Sequence, residues 1–163
     1  MNTVHIRPAT LQDMPAVHGL IQALADFEKE PDAVEITVED LRRDGFSTSP
    51  KFACLVAEKA DRIIGMALYY PRYSTWKGAT FHLEDLIVLP SERGQGVGSA
   101  LYRTFIEQAF KAGVKRIEWV VLDWNTPAVT FYEKSGAAVL TDWRTVQMTQ
   151  AEMKAFLEKK QTN

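Results

Sequence analysis

Two acidic residues stand side by side in an apolar run, Glu84 and Asp85 of HLEDLIV. A carboxylate in such a run costs free energy unless it is paired or used. A regular strand points neighbouring residues to opposite faces. Glu84 then shares a face with His82 and Leu86, and Asp85 shares one with Leu83 and Ile87. At least one of these carboxylates must reach a solvated cleft, where it could accept a proton or hold a cation. Structural ion pairs with Arg or Lys are the competing reading.

A second constellation follows at once. In VLPSERGQGVGS, residues 88–99, the apolar run stops at Pro90 and passes Arg93. Gly94, Gly96 and Gly98 then alternate with Gln95 and Val97 before Ser99 and a run of helix formers. Helix N-termini carry free N–H groups and partial positive charge. Glycines let those amides approach an anion without a Cβ in the way, and Arg93 adds charge. The stretch reads as a pyrophosphate cradle; a flexible turn that needs glycine for sterics is the alternative. Two nucleotide motifs fail here. Counting from Gly94, the sixth position of a dinucleotide fingerprint is Ser99 rather than glycine. No lysine lies between Lys77 and Lys111, so there is no Gly-Lys-Ser/Thr loop.

The third stretch is NTPAVTFYEKSG. Thr126 with Pro127 at the first position opens a helix that runs to Gly136. Asn125, Thr126, Pro127 and Ala128 make a good helix start, and Tyr132 by itself is a half-buried packing residue. Phe27 and Glu28, at the end of another helical pattern, read as part of a solvated face. The lone Cys54 reads as a buried strand residue.

These residues need a scaffold, and the patterning supplies one. Residues 4–8 form a short strand. Thr10 with Asp13 starts a helix carrying Val17, Leu20, Ile21, Leu24, Ala25 and Phe27. A loop around Pro31 leads to a short helix over residues 37–45. FACLVAEK, IIGMALYYP and TFHLEDLIVLP are strand-length runs, the first two joined at Asp61-Arg62. Residues 96–112 form a helix with Leu101, Phe105, Ile106, Ala109 and Phe110 on one face, ended by Gly113. RIEWVVLD is the next strand, AAVLTDWRTVQM a final hairpin, and TQAEMKAFLEKK a possible last helix. The order is β-α-α-β-β-β-α-β-α-β-β. It implies an α/β (mixed α+β) fold, with a mixed, mostly antiparallel sheet of six to seven strands and helices on both faces.

The chain of 163 residues fits one domain, residues 1–163, without repeats or linkers. A formal net charge of -2 gives no global field for nucleic acid or anionic membrane. No stretch approaches membrane-spanning length, residues 1–10 do not read as a signal peptide, and one cysteine fits a reducing compartment. The expected location is the cytosol. No metal site is expected, since a lone cysteine is a poor zinc ligand set.

The stretch RGQGVGS resembles the R/Q-x-x-G-x-G/A signature of the GNAT acetyltransferase superfamily. IRPAT, LADFEKE, DGF, CLVAE, YYPRYSTWKG, LEDLIV, VLDWN and FYEKSGA extend the resemblance over essentially the whole chain. They point to the diamine and thialysine N-acetyltransferase branch. The resemblance implies an acetyl-coenzyme A-dependent transfer to the primary amine of a small molecule, by direct attack in a ternary complex. Arg93, Gly94, Gln95, Gly96, Val97, Gly98 and Ser99 would hold the pyrophosphate of acetyl-coenzyme A. Backbone amides at Leu86, Ile87 and Val88 would face the thioester, and Asn125, Thr126, Pro127 and Ala128 would contact the rest of the cofactor.

In the same resemblance Glu84 binds the amine and assists its deprotonation, and Tyr132 is the acid to the departing thiolate. The need is real: an amine of pKa near 10.4 is neutral in only about one molecule in a few thousand at pH 7. Phe27, Glu28, Asp85, Trp76 and Trp124 would line the acceptor site, with cation–π contact available from the tryptophans. Trp143 is a further aromatic candidate. Ser74 stands where spermidine-type members carry an aspartate, and Asp142 is the sole carboxylate of a short segment after Gly136. Both departures favour a lysine-like amine such as thialysine over a long polyamine, with a diamine second. The alternatives are a protein or antibiotic amine and, in a different class, a non-catalytic acyl-coenzyme A-binding module that would need neither Glu84 nor Tyr132. The resemblance also implies a homodimer.

Overall fold

In the computed structural model, which describes residues 3–159, the central sheet has five strands in sequence order. β1 (His5–Pro8), β2 (Ala53–Lys59), β3 (Arg62–Ser74) and β4 (Gly78–Val88) pair antiparallel in turn. β5 (Ile117–Glu118) adds to β4 in parallel. The order of elements is β1, α1 (Met14–Phe27), α2 (Val38–Gly45), β2, β3, β4, α3 (Val97–Lys111), β5, α4 (Thr126–Lys134) and α5 (Gln150–Glu158). The described residues divide into two compact units, one ending at Val120 and the other starting at Val121.

Local chemistry explains the boundaries. Thr10 and Asp13 form a capping box on a 3-10 turn that leads into α1. Asp13 also accepts from Arg7, whose guanidinium holds that carboxyl down at about 2. A second capping box, Thr37 with Asp40, starts α2. Gly113, at φ 70°, ends α3 with the C-terminal geometry that glycine favours. Asp61 lies in the turn between β2 and β3 as expected, with Ala60 and Asp61 both at positive φ.

The sheet buries a different helix on each face. Met14, Val17 and Leu20 of α1 and Leu41 of α2 pack on Cys54, Val56, Met66, Leu68 and Ile87. On the other face α3 lays Leu101 and Phe105 over β3, with the Phe105 ring 5.0 Å from that of Tyr69. Three expectations need correction. Phe110 is 86% exposed and leaves the buried face of α3, where Val97 and Tyr102 stand with Leu101, Phe105 and Ala109. The strand expected over RIEWVVLD shrinks to Ile117 and Glu118. The final hairpin is absent: residues 137–149 contain no strand, so the sheet has five strands rather than six or seven. Leu140, Trp143 and Val146 are exposed there, and the stretch lacks an Asn-Gly-type turn. With no buried face, nothing specifies a register, and an isolated two-stranded hairpin is marginal. The possible last helix does form, as α5 behind a Thr149–Glu152 capping box.

One glycine shows how tightly the layers are fitted. A Cβ at Gly65 would lie 2.8 Å from the Ile87 carbonyl oxygen and 3.2 Å from the Leu101 side chain. Gly65→Ala should therefore destabilise the fold by about 1–3 kcal/mol, because a backbone oxygen cannot step aside as a side chain can. Urea denaturation monitored by circular dichroism checks this; an unchanged midpoint would contradict the packing described.

Candidate active site

The strand β4 is not regular where its two carboxylates sit. Leu83 pairs with Tyr69 and Asp85 with Leu68, leaving Glu84 as an extra, unopposed residue. This is a β-bulge, and bulges re-aim side chains. Paired residues share a face, so Asp85 lies with Leu68 and Ile87 on the α1 side, while Leu83 lies with Tyr69 on the α3 side. The regular-strand expectation that Asp85 shares a face with Leu83 is therefore corrected. Glu84 also reaches toward the α1 side, because its Oε2 accepts a 2.7 Å hydrogen bond from the Tyr70 hydroxyl. Tyr70 pairs directly with His82 across the strands, and their rings stack with centroids 5.2 Å apart. His82 Nε2 is 3.6 Å from Glu84 Oε2, too far for a hydrogen bond.

The electrostatics of this patch are those of crowded carboxylates. Burial, and then the charges of Glu84 and Glu28, push the Asp85 carboxyl up to about 7. Partial burial raises Glu28 as well. Neither Glu28 nor Asp85 has a Lys or Arg partner among the described residues. Three acids sharing one neighbourhood would favour a bound cation there. Burial similarly pushes the Cys54 thiol up to about 12, which leaves it a poor nucleophile.

Beyond Val88 the chain turns through Pro90–Glu92 to Arg93 and then opens α3. Gly94 and Gly96 have φ of 76° and 79°, and no atom lies within 4 Å of where either Cβ would be. Gly96 is the N-cap of α3. The first intrahelical bond here runs from the Ala100 N–H to the Gly96 carbonyl at 3.0 Å. The amides of Val97, Gly98 and Ser99 precede it and are free of the helical ladder. Gly98 has ordinary backbone geometry; its missing Cβ would only touch Val88, at 3.7 Å. The Gln95 amide turns aside to join Lys59 and Glu92, whose ion pair is 2.7 Å long. Arg93 Nε donates to the Val88 carbonyl at 3.0 Å, and its guanidinium lies 5.4 Å from the centroid of the Phe27 ring. So Phe27, at the end of α1, is tied to the glycine loop.

Pairing of β4 with β5 stops early. Only Phe81 and His82 of β4 have partners, Ile117 and Glu118. The β5 ladder does not continue along Leu86, Ile87 and Val88. Ile87 and Val88 are themselves core side chains, so any polar role at these positions belongs to the backbone. Trp76 stands apart from this group. It is 79% exposed in the β3–β4 turn, where Ser74 Oγ accepts from the Trp76 and Lys77 amides. Glu84 stands six positions along the strand from Gly78, roughly 20 Å at the usual rise.

Trp124, Asn125, Thr126, Pro127, Ala128 and Tyr132 lie in the second unit. The helix cap there is Asn125 rather than Thr126, its side chain accepting from the Ala128 amide. Tyr132 is half-buried on α4 with its ring edge-on to Phe131. The sequence reading missed Tyr70, His82 as its stacking partner, and Lys59 as an anchor for the loop. The signal for Tyr70 was a tyrosine in a strand one hairpin away from a buried acid. Its use required the pairing register, which a single sequence does not display.

Residues 18–137 match the acetyltransferase (GNAT) family. The chain is 41% identical over 150 residues to a thialysine N-epsilon-acetyltransferase of Bos taurus, covering 87% of this chain and 88% of that protein. It is 33% identical over 190 residues to an L-ornithine N5-acetyltransferase of Arabidopsis thaliana, covering 88% and 83% of the two chains. An integron cassette protein from the mobile metagenome of V. cholerae shares the fold, with a TM-score of 0.78, 21% identity and coverage of 95% and 98%.

The raised Asp85 carboxyl has a consequence for stability. A folded value near 7 against an ordinary 3.8 means that Asp85 favours folding fully below pH 3.8, and that this contribution is lost as pH rises through 7. Asp85→Asn should then be more stable than the parent at pH 8, by on the order of 2 kcal/mol, with the gap closing below pH 4. Thermal melts at the two pH values check it; a gap that is the same at both would refute the buried-charge account.

Proposed function

Because the chain belongs to the acetyltransferase (GNAT) family and is an N-acetyltransferase, we propose that it moves an acetyl group from acetyl-coenzyme A to the primary amine of a small lysine-like molecule. The observation that carries this reading is the placement of two sites in series on β4. An acidic patch at the Glu84 bulge is suited to a cation, and a positive-φ glycine loop at the strand's end is suited to an anion. The relatives named for thialysine and ornithine act, by those names, on side-chain amines of amino acids, which supports the substrate class. A diamine is the second choice. Assembly of the protein as a homodimer, which rests on the family resemblance, and a cytosolic location belong to the same proposal. A single domain spans both units in this reading, since the family match runs across Val120 and Val121.

The residues present fit acetyl-coenzyme A. Amides of Val97, Gly98 and Ser99, unobstructed at Gly94 and Gly96, take the pyrophosphate, with Arg93 adding positive charge. Bound there, the cofactor supplies a thioester, an acyl donor activated toward amines. The backbone of Leu86, Ile87 and Val88, past the end of the β5 ladder, offers N–H groups to the thioester oxygen as charge develops on it. Asn125, Thr126, Pro127 and Ala128 take the remainder of the cofactor. Glu28, Glu84 and Asp85 attract the ammonium, and Phe27 and Trp124 supply apolar and cation–π surface, whereas Trp76, in the turn before β4, lies too far from Glu84 to join them. Glu84 accepts the ammonium proton, directly or through water, leaving a neutral amine that attacks in a ternary complex. Tyr132 donates a hydrogen bond or a proton to the departing thiolate.

An amine panel with acetyl-coenzyme A, read as thiol release, tests the substrate class. Thialysine and lysine-like amines should be turned over ahead of long polyamines; no turnover of any small amine would sink the proposal. In the same assay Gly96→Asp should weaken acetyl-coenzyme A binding at least tenfold, since a carboxylate at a positive-φ glycine both strains the loop and repels the anion. For Tyr132→Phe the expected result is a fall in kcat of about 10²-fold with the KM for the amine little changed. Full activity in that variant would remove the acid role.

A further inference from the structure

We infer that Tyr70 is a positioning residue, its hydroxyl fixing the Glu84 carboxylate toward the incoming amine while His82 holds the Tyr70 ring. The inference rests on the reading of Glu84 as the amine's proton acceptor. Glu84 needs such a tether. It is the unopposed residue of the bulge, and its side chain is 51% exposed. A glutamate so placed samples several rotamers, and ordering it costs entropy that a single fixed contact must offset.

The Tyr70 hydroxyl makes that contact, 2.7 Å from Oε2, a charge-assisted bond when the acid is ionised. The bond occupies Oε2 and leaves Oε1 for the amine. The phenol is suited to the task because it stays a donor: burial and then the neighbouring Glu84 push it up to about 12, so it keeps its proton at neutral pH. The ring's own orientation comes from His82. The two residues are direct cross-strand partners, their ring planes are 26° apart, and the His82 side chain is largely buried. His82 Nδ1 is buried without a hydrogen-bond partner among the described residues, and Nε2 stands 3.6 Å from Glu84. The imidazole therefore serves as a stacking platform rather than as a second donor. Arg72, next along this face of β3, is held by Glu118 and does not compete for Glu84.

The full chain, acetyl-coenzyme A and thialysine suffice for the test, with Glu84→Gln, Tyr70→Phe, His82→Ala and the Tyr70→Phe/Glu84→Gln double variant. Tyr70→Phe keeps the stacked ring and loses only the hydroxyl. It should lower kcat about tenfold, the worth of one hydrogen bond to a charged group, with the KM for acetyl-coenzyme A and the melting temperature unchanged. The double variant should be no slower than Glu84→Gln alone, because the hydroxyl acts through that carboxylate. His82→Ala should slow the parent severalfold, and a further His82→Ala/Tyr70→Phe double variant should be no slower than Tyr70→Phe alone. A fully active Tyr70→Phe beside an impaired Glu84→Gln overturns the positioning role, as does a Tyr70→Phe loss that multiplies with the Glu84→Gln loss. A fully active Glu84→Gln instead overturns the reading of Glu84 on which the inference rests.

Discussion

One inserted residue governs the acidic half of this site. Without the bulge at Glu84, neighbouring carboxylates on β4 would point to opposite faces, one toward α1 and one into the packing of α3. The register shift at Leu68 and Tyr69 sends Asp85 to the α1 face, and Glu84 swings to meet Tyr70 on that face as well. Glu28 arrives from the end of α1, close enough for its charge to bear on Asp85. The fold accepts the lost ladder contact because Leu83 and Ile87 on either side remain buried in opposite layers. A bulge of this kind is a device for placing two acids where a regular strand allows one.

The same strand then delivers the anion end. β4 is followed by a short turn, and the loop after it is pinned at three points. Arg93 bonds back to the Val88 carbonyl, its guanidinium covers Phe27, and Lys59 on β2 pairs with Glu92. The pins leave Gly94 and Gly96 clear, so the loop is held by side chains without its glycines being obstructed. Phe27 and Glu28 are adjacent, hence the loop that would hold a pyrophosphate and the acid that would meet an amine are tied to the same turn of α1. Preorganisation of both ends on one rigid scaffold is what direct attack requires, since the two reactants must meet in a fixed orientation.

Much of this was legible in the residues. The glycine spacing located the loop that opens α3, the capping boxes at Thr10 and Thr37 located helix starts, and the run HLEDLIV marked an acid that apolar neighbours could not explain. What escaped has a common cause. The bulge, the Tyr70–Glu84 bond and the His82 stack all depend on which residue stands opposite which, and register is a property of two strands rather than of one segment. The expected hairpin after Gly136 failed for the complementary reason. Its alternating apolar residues satisfy a strand pattern, but Leu140, Trp143 and Val146 find nothing to bury against, and pattern without a buried face does not hold a strand. Phe110 shows the same limit at the scale of one side chain, since helical spacing put it beside a buried stripe that was narrower than the spacing suggested.

The carboxylate cluster also sets how the acceptor end responds to its substrate. With Glu28, Glu84 and Asp85 in one neighbourhood, ionising all three is opposed by burial and by like charge, so the deepest, Asp85, is the one that holds its proton near neutrality. An ammonium placed among them would offset the like charge of Glu84 and Glu28 and favour the ionised form of Asp85. Cation binding and proton release are then linked: each promotes the other by the same free energy. Glu84, more exposed and hydrogen-bonded to Tyr70, would then meet the amine from a fixed direction. The two neighbours thus divide the work through environment alone. On the proposed reading, the buried acid would adjust the local charge to the occupant, and the exposed acid would take the ammonium proton.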